Sequence, residues 1–586
     1  MRDSLSERAR RAWRCTSSVL AILAATTGPL SRVQAQAQTP ATSSPPAPSR
    51  SARVIGPASL FPYAPGVDVQ HYDIALTVPQ RGSEISALAV LTVDRALQVD
   101  TLRLDLTALT VDAVTVNGRS RDVLRDSLTL RVPLRQRDGT RVRVGVRYHG
   151  VPLDGFIVRE DSLRGWSGFG DNWPNRGRHW IPSVDHPSDK ATVSWSVTAP
   201  SEMAVVANGT RESAGRASPP PGATGAWTTT RYRLRQPIPT SLMVVGVARL
   251  HETPLGRTAC GFGVRGACVP QSVWTFAPET PNMPGSFRAA GRIVTTFAGM
   301  VGPFAYDRLS HVQSATRFGG MENASAIFYS DQAFRRNAVE ESLIAHETAH
   351  QWFGDAVTPR RWADVWLSEG FATYFAALYQ QRAHGDSAFL ATMRRMRDDV
   401  LAAKVVGERP IVDSIGAETP LSLLNANSYQ KGGFVLHMLR AEIGDSAFFR
   451  ALRDYQSRFR HATATTDDLR VLVERRAGRT LRPFFDQWLH RPGFADLAVT
   501  WTWRAETSSL VMAVTQHPRS IPFDLPLTLE VQGSNGQRRR VTVRLVAKAS
   551  QSVEVAVRGF VGEPVTVVAD PGVVLLGRVE MLHAMP

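Results

Sequence analysis

The sequence predicts a multidomain α+β protein in which two β-rich segments flank a mainly helical one, and three observations lead there. The 586 residues are too many for a single hydrophobic core, so two to four domains are expected. Short β-branched runs separated by turn residues begin near Val69 and return after Pro492. Between them, from about residue 255, apolar residues recur at helical period. The expected division is 1–37 export signal, 38–54 linker, 55–254 N-terminal β domain, 255–492 mainly helical domain and 493–586 C-terminal β domain.

At the start of the chain, Arg8 to Arg14 form a basic stretch and Val19 to Ala25 an apolar one. Ala35-Gln36-Ala37 supplies a small-x-small cleavage site, so 1–37 reads as a signal peptide and the protein as exported, periplasmic or secreted. The apolar run is too short to span a bilayer, and no other stretch qualifies, so no integral membrane segment is expected in the mature chain. Arg10-Arg11 is compatible with twin-arginine export, but the neighbouring residues fit that motif poorly. Cys15 precedes the apolar run and is no lipid anchor. Behind the cleavage site, residues 38–54 are a Pro/Ser-rich linker.

The runs Tyr72 to Val78, Ala87 to Val93, Leu102 to Leu106, Ser127 to Val132, Arg141 to Tyr148, Tyr232 to Arg235 and Met243 to Leu250 predict a β-sandwich, with Ser218 to Gly225 as a loop. Helices are predicted over Ala289 to Met300, Val339 to Phe353, Leu367 to Gln381, Ala388 to Lys404, Ser428 to Ile443 and Ser446 to Arg458. Thr466-Asp467-Asp468 caps a further helix to Ala477, and Arg482 to Leu489 adds the last. Strands are then expected over Ala498 to Arg504, Leu510 to Thr515, Leu525 to Val531, Val541 to Val546 and Val553 to Val557, a small second sandwich.

The net charge is +16, of which the leader carries +4. Such a balance suits nucleic acid or an anionic surface, but the arginines are scattered singly and no nucleic-acid partner is expected. The densest cluster, Arg538-Arg539-Arg540, follows the hairpin signal Ser534-Asn535-Gly536 and decorates one exposed strand. Only Cys260 and Cys268 lie beyond the leader, with Gly261, Gly263 and Gly266 between them. That spacing suits a small loop closed by a disulfide in an oxidising compartment. A two-cysteine zinc site is the weaker alternative, since no histidine accompanies them.

The chemistry sits in His346-Glu347-Thr348-Ala349-His350 and, after 18 intervening residues, Glu369. One helical turn puts His346 and His350 on the same face, where they can grip one metal ion. Glu347 lies beside that metal, the place for a general base acting on water. Glu369, from the next helix, completes the three protein ligands that a catalytic zinc takes. H-E-x-x-H alone also arises by chance in ordinary amphipathic helices, so the surroundings decide.

Those surroundings are Ile344 to Gly354 and Trp366-Leu367-Ser368-Glu369-Gly370-Phe371-Ala372, with Gly319-Gly320-Met321-Glu322-Asn323 upstream and Tyr429-Gln430-Lys431-Gly432-Gly433 downstream. Together they closely resemble the gluzincin aminopeptidases, the family of aminopeptidase N and leukotriene hydrolase. The likeness runs from about Asp68 to Trp503, and the blocks Asp68 to Tyr72, Arg178 to Pro182 and Asp185-His186-Pro187 also resemble the family's N-terminal β domain.

The resemblance implies a thermolysin-like catalytic domain, one Zn²⁺ per chain on His346, His350 and Glu369, Glu347 as base and Tyr429 as donor to the carbonyl oxygen. Gly319, Gly320, Met321, Glu322 and Asn323 are implied to bind substrate, with Glu322 facing the α-amine. The implied partners are peptides with a free N-terminus. Lys431, one of four lysines in the chain, matches a lysine of the motif. Ser368 and Asp355 stand where the family usually has Asn. A second amine anchor, Gln or Glu in the family, falls near Asn172 or Trp173 and is in doubt. Many relatives add a helical domain after the last strands; without one here, an open cleft is expected. The alternatives are a zinc endopeptidase, another small-substrate hydrolase, or a non-catalytic binding protein on the same fold; the intact ligands, base and tyrosine argue against the last.

Overall fold

In a computed structural model of the chain, residues 63–259, 267–517 and 521–584 are described. The leader, the linker, Cys260 and the side chain of Cys268 lie outside the described residues.

The first β region is built on alternation. Ile85–Arg95 buries every second side chain, from Ile85 through Ala87, Ala89 and Leu91 to Val93, while its other face carries Ser86, Leu88 and Val90. It lies in an eight-stranded sheet whose centre pairs Val67–Thr77 antiparallel with Ile85–Arg95 and parallel with Ala191–Pro200. Among the described residues a four-stranded sheet (Ala204–Ala207, Val245–Ala248, Gly165–Gly170, Phe156–Asp161) and a three-stranded sheet (Thr101–Asp105, Thr129–Pro133, Leu124–Arg125) complete this region. Ser218 to Gly225 connects two strands as expected.

The single strand expected over Met243 to Leu250 is two. The chain leaves one sheet after Ala248, and Leu250–Ala259 starts another. That strand crosses the expected boundary at residue 254. It opens a five-stranded sheet with Ala267–Phe276, Leu309–Ser314, Ala326–Ser330 and Gly320–Met321. The helical region therefore rests on a sheet that periodicity did not reveal, and Gly320–Met321 is its edge strand, antiparallel to Ala326–Ser330.

The helices are Ala290–Val301, Glu341–His350, Trp366–His384, Asp386–Ala402, Gly432–Ile443, Asp445–Phe459, Thr466–Ala477 and Arg482–Leu489, with shorter turns between them. Three depart from expectation. The helix expected over Val339 to Phe353 spans only Glu341–His350, because the chain breaks into a loop in which Gly354 takes φ +121°. The stretch from Ser428 begins as a π-turn, Asn427–Lys431, before Gly432–Ile443 continues as α-helix. The cap of the helix to Ala477 is Thr465, one residue earlier than expected: its hydroxyl and the Asp468 carboxylate form a reciprocal capping box.

The C-terminal region holds a four-stranded sheet (Ser550–Ala556, Ser509–Gln516, Ala495–Arg504, Gly577–His583) and a three-stranded one (Arg538–Leu545, Leu525–Gly533, Pro564–Ala569). Pro564–Ala569 and Gly577–His583 were not anticipated. Arg538 and Arg540 project from an exposed strand onto Glu530, as the turn at Gly536 predicts.

Candidate active site

His346 and His350 stand one turn apart on Glu341–His350, and their Nε2 atoms are 3.1 Å from each other. Glu369, in the first turn of Trp366–His384, places Oε2 3.5 Å from His346 Nε2 and 3.4 Å from His350 Nε2. A tetrahedral ion with bonds of about 2.0–2.2 Å has edges of about 3.3–3.6 Å, so the three atoms fit one face of such a shell. Glu369 Oε2 is buried with no hydrogen-bond partner among the described residues, an acceptor that a cation would satisfy. His350 Nδ1 donates to the Phe353 carbonyl at 3.1 Å and lies 2.9 Å from Ser368 Oγ, which leaves Nε2 for metal. Two imidazoles and one carboxylate suit a zinc ion with one position to spare. A second grouping, Glu322, Glu347 and His350, shares the same histidine. The wide surface hollow of about 640 Å³ beside Asp68, Asp94 and Arg141 lies in the first β region and, among the described residues, contains no such cluster.

Three carboxylates meet here, those of Glu322, Glu347 and Glu369, and their charges act on one another. Burial pushes the Glu347 carboxyl well above the carboxylate range; His350 pulls it back, while Glu322 and Glu369 push it further. Burial likewise raises Glu322 to about 7. Glu369 is the exception: burial would raise it, but His350 and His346 hold it at about 2. Burial disfavours the cation at His350, yet Glu322 and Glu369 outweigh it and raise its pKa well above the usual imidazole range. A dication replaces that proton and neutralises the same carboxylates.

Gly320–Met321 runs beside the zinc helix, and Gly320 earns its place by proximity. A Cβ at 320 would overlap the Glu347 carboxyl group, whereas Gly319 has open space where a side chain would lie. Met321 and Glu322 are buried directly after it. Asn323 is fully buried, and its side-chain amide has no partner among the described residues. One residue missed in the sequence ties this strand to the helix. Gln351 Nε2 donates to the Glu322 carbonyl at 2.8 Å and to Asp355 Oδ2 at 2.7 Å, while its Oε1 accepts from Ser325 N at 2.8 Å. Gln351 stood in the motif, but nothing in its spacing marks three bonds to backbone and carboxylate.

Tyr429 sits on the π-turn with its ring parallel to that of His346, centroids 6.0 Å apart. Burial, then repulsion from Glu369, Glu322 and Glu347, pushes its pKa well above the ordinary phenol range, so the hydroxyl stays a donor. Two glycines bring its helix close: a Cβ on Gly370 would stand 2.9 Å from the Gly432 carbonyl carbon. The adjacent Lys431 is buried, and Nζ donates to the Arg491 carbonyl at 3.3 Å.

Neither position suggested for a second amine anchor supplies a carboxylate or a free amide. Asn172 is fully buried; its Nδ2 donates to the Thr240 and Met243 carbonyls and its Oδ1 accepts from Trp180 Nε1. Trp173 instead meets Trp362 edge-on, centroids 5.4 Å apart. With Glu322 and Ser368 these rings line a cavity of only about 20 Å³. Ser368, in the family's Asn position, serves as the partner of His350, and Asp355 accepts from Gln351; both replacements are accommodated.

Residues 293–488 match the model of the peptidase family M1 domain. The chain carries an M1 peptidase domain. Aminopeptidase N of Streptomyces lividans is 28% identical over 489 residues, which cover 78% of this chain and 54% of that protein. Glutamyl aminopeptidase of Mus musculus is 24% identical over 64% of this chain and 40% of its own length. The chain thus spans about half the length of the curated relatives it matches. The crystal structure of an M1 zinc metallopeptidase from Deinococcus radiodurans superposes with TM-score 0.61 at 28% identity, covering 73% of this chain and 95% of that one. A mutant of that metallopeptidase was solved bound to a Tyr-Ser-Ala substrate. The gluzincin resemblance carried by the three motifs is borne out, and with it zinc as the metal of this M1 site.

Proposed function

We propose that this M1 protein is a zinc-dependent aminopeptidase that removes the first residue of peptides with a free N-terminus. The observation that carries the reading is the place of Glu322. Its buried carboxyl lies within 4.8 Å of the ligand atoms of Glu347 and His350, and Trp173 and Trp362 wall a cavity that Glu322 also lines, of about 20 Å³, room for about one water molecule. A peptide cannot continue past that wall, so its amine lies against Glu322 and its first carbonyl toward the zinc ligands. An endopeptidase needs the chain to run on in both directions.

The roles follow from the residues. His346, His350 and Glu369 would hold the zinc, which would supply Lewis acidity to a nucleophilic water and to the scissile carbonyl. Glu347 accepts the water's proton and later returns it to the leaving amine, a task suited to a carboxyl whose proton affinity burial has raised. The Tyr429 hydroxyl donates to the carbonyl oxygen as charge grows there. Glu322 gives the ammonium a counter-charge in a site of low dielectric, and the Gly319 to Asn323 segment lines the substrate backbone.

The same reading takes both flanking β regions as sandwiches, divides the chain near residues 54, 254 and 492, and sends the protein outside the cytoplasm on the strength of residues 1–37, with Cys260 and Cys268 as a disulfide. Hydrolysis of a free peptide and its N-acetylated twin, with and without chelator, tests the function. Chelator-sensitive release of the first residue from the free peptide alone is expected; equal cleavage of both would make it an endopeptidase. In Glu322→Ala the gap between the two substrates narrows.

A further inference from the structure

Lys190 lies outside the cleft, in the N-terminal β region, immediately before the strand Ala191–Pro200. Its ammonium donates to three backbone carbonyls, those of Asp355 at 2.9 Å, Ala356 at 3.0 Å and Ala462 at 3.2 Å. Those bonds use all three donors of the group. Two of the carbonyls belong to the loop that leaves the zinc helix. The third belongs to Ala462–Ala464, which pairs parallel with Val357–Pro359 just beyond that loop.

We propose that Lys190 is a positioning residue, through which the N-terminal region fixes the loop that orients His350; the proposal rests on the zinc-site reading above. The loop and the ligand are joined by short links. Asp355 N donates to the His350 carbonyl at 3.0 Å, Gln351 Nε2 reaches Asp355 Oδ2 at 2.7 Å, and the Phe353 carbonyl accepts His350 Nδ1 at 3.1 Å. If the loop shifts, the carbonyl that aims the imidazole shifts with it. Gly354, between those carbonyls, takes φ +121° and packs where a Cβ would strike Ser368 Oγ, so the loop has little freedom of its own. From the same β region Asn208 Nδ2 donates to the Ala324 carbonyl at 2.8 Å, and the next residue, Ser325, donates its N to Gln351 Oε1 just after the zinc helix.

The residue type supports a geometric role. The chain has four lysines against 64 arginines. A compact ammonium can point three N–H groups at converging carbonyls; a planar guanidinium cannot. The simpler alternative is that Lys190 merely glues two regions together, and the two roles are separable.

The test uses the full-length zinc enzyme and Lys190→Met. Transfer of zinc to a coloured chelator is expected to run about 10–100-fold faster than in wild type, the usual scale for losing a group that orients a ligand. The kcat should fall within the same range with KM changed less than about twofold, and Lys190→Arg should not restore either quantity. If Lys190→Met does not fold, Lys190→Gln, which keeps a single donor arm, is read by the same measurements. A lower melting temperature with zinc transfer and kcat unchanged would reduce Lys190 to glue and overturn the proposal. Should wild type cleave no peptide, the aminopeptidase reading fails, while the zinc-transfer comparison still decides the role of Lys190.

Discussion

Gly320 and Glu347 occupy adjoining space so closely that a single methyl group on position 320 would collide with the carboxyl group of the base. The backbone at Gly320 is ordinary extended strand, so alanine there brings no conformational strain. Gly320→Ala is therefore expected to displace Glu347 without unfolding the sheet. We expect kcat to drop by about 10²-fold, the scale of a misplaced catalytic group, with the melting temperature shifted by only a few degrees. Turnover and thermal melts on one preparation check this; a fully active variant would mean that Glu347 has room to move.

Glu347→Gln should retain zinc and lose turnover by several orders of magnitude. Glu347 lies near His350 but is not one of the His346, His350 and Glu369 ligand set, and an amide cannot take up a proton. Metal analysis paired with rate measurement is decisive, and appreciable residual turnover would move the base elsewhere.

In Tyr429→Phe the stacked ring beside His346 is kept and only the donor goes. A kcat loss of roughly 10²–10³-fold with little change in KM is expected. The reverse pattern, a raised KM at constant kcat, would assign the hydroxyl to ground-state binding.

A pH effect on stability is expected at Asp189, next in sequence to Lys190. Asp189 is buried; its Oδ2 accepts from Val69 N at 3.1 Å, and among the described residues its Oδ1 has no partner. Burial raises it to about 8, against a contrary pull from the Val69 bond and a further push from Asp68. Unfolded, such a group titrates at about 4. Between those values the folded protein binds the extra proton, so stability falls as pH rises through the window, by up to about 1.4 kcal/mol per unit. Asp189→Asn retains an acceptor and cannot ionise. Its melting temperature relative to wild type should rise from pH 5 to pH 8; a constant difference would show that Asp189 does not titrate there.

The metal site was legible because its geometry is local: His346 and His350 are a turn apart on one helix, and Glu369 opens the next. The sheet beneath was not. Leu309–Ser314 buries Ser310, His311, Gln313 and Ser314 alongside its apolar residues, so no alternation survives to mark it as a strand. Its polar groups are satisfied by partners far along the chain, as His311 is by Tyr329 and Gln313 by Glu279 and Asp331. The π-turn at Tyr429 was hidden for a related reason, since its composition is that of a helix and only the close crossing at Gly370 and Gly432 gives it a setting. Gln351 and Lys190 act through backbone carbonyls, which carry no residue identity for a sequence to display.

Because Gln351 follows His350 directly and holds the Glu322 carbonyl, the gap between the group that meets the amine and the metal is set within a single turn of helix. The first β region braces this unit from outside, through Lys190 at Asp355 and Asn208 at Ala324. Breathing of that region can therefore alter how firmly zinc or peptide is held, yet it leaves unchanged which peptide bond is cut. Fidelity of the cut is a local property, while affinity is shared across the whole chain.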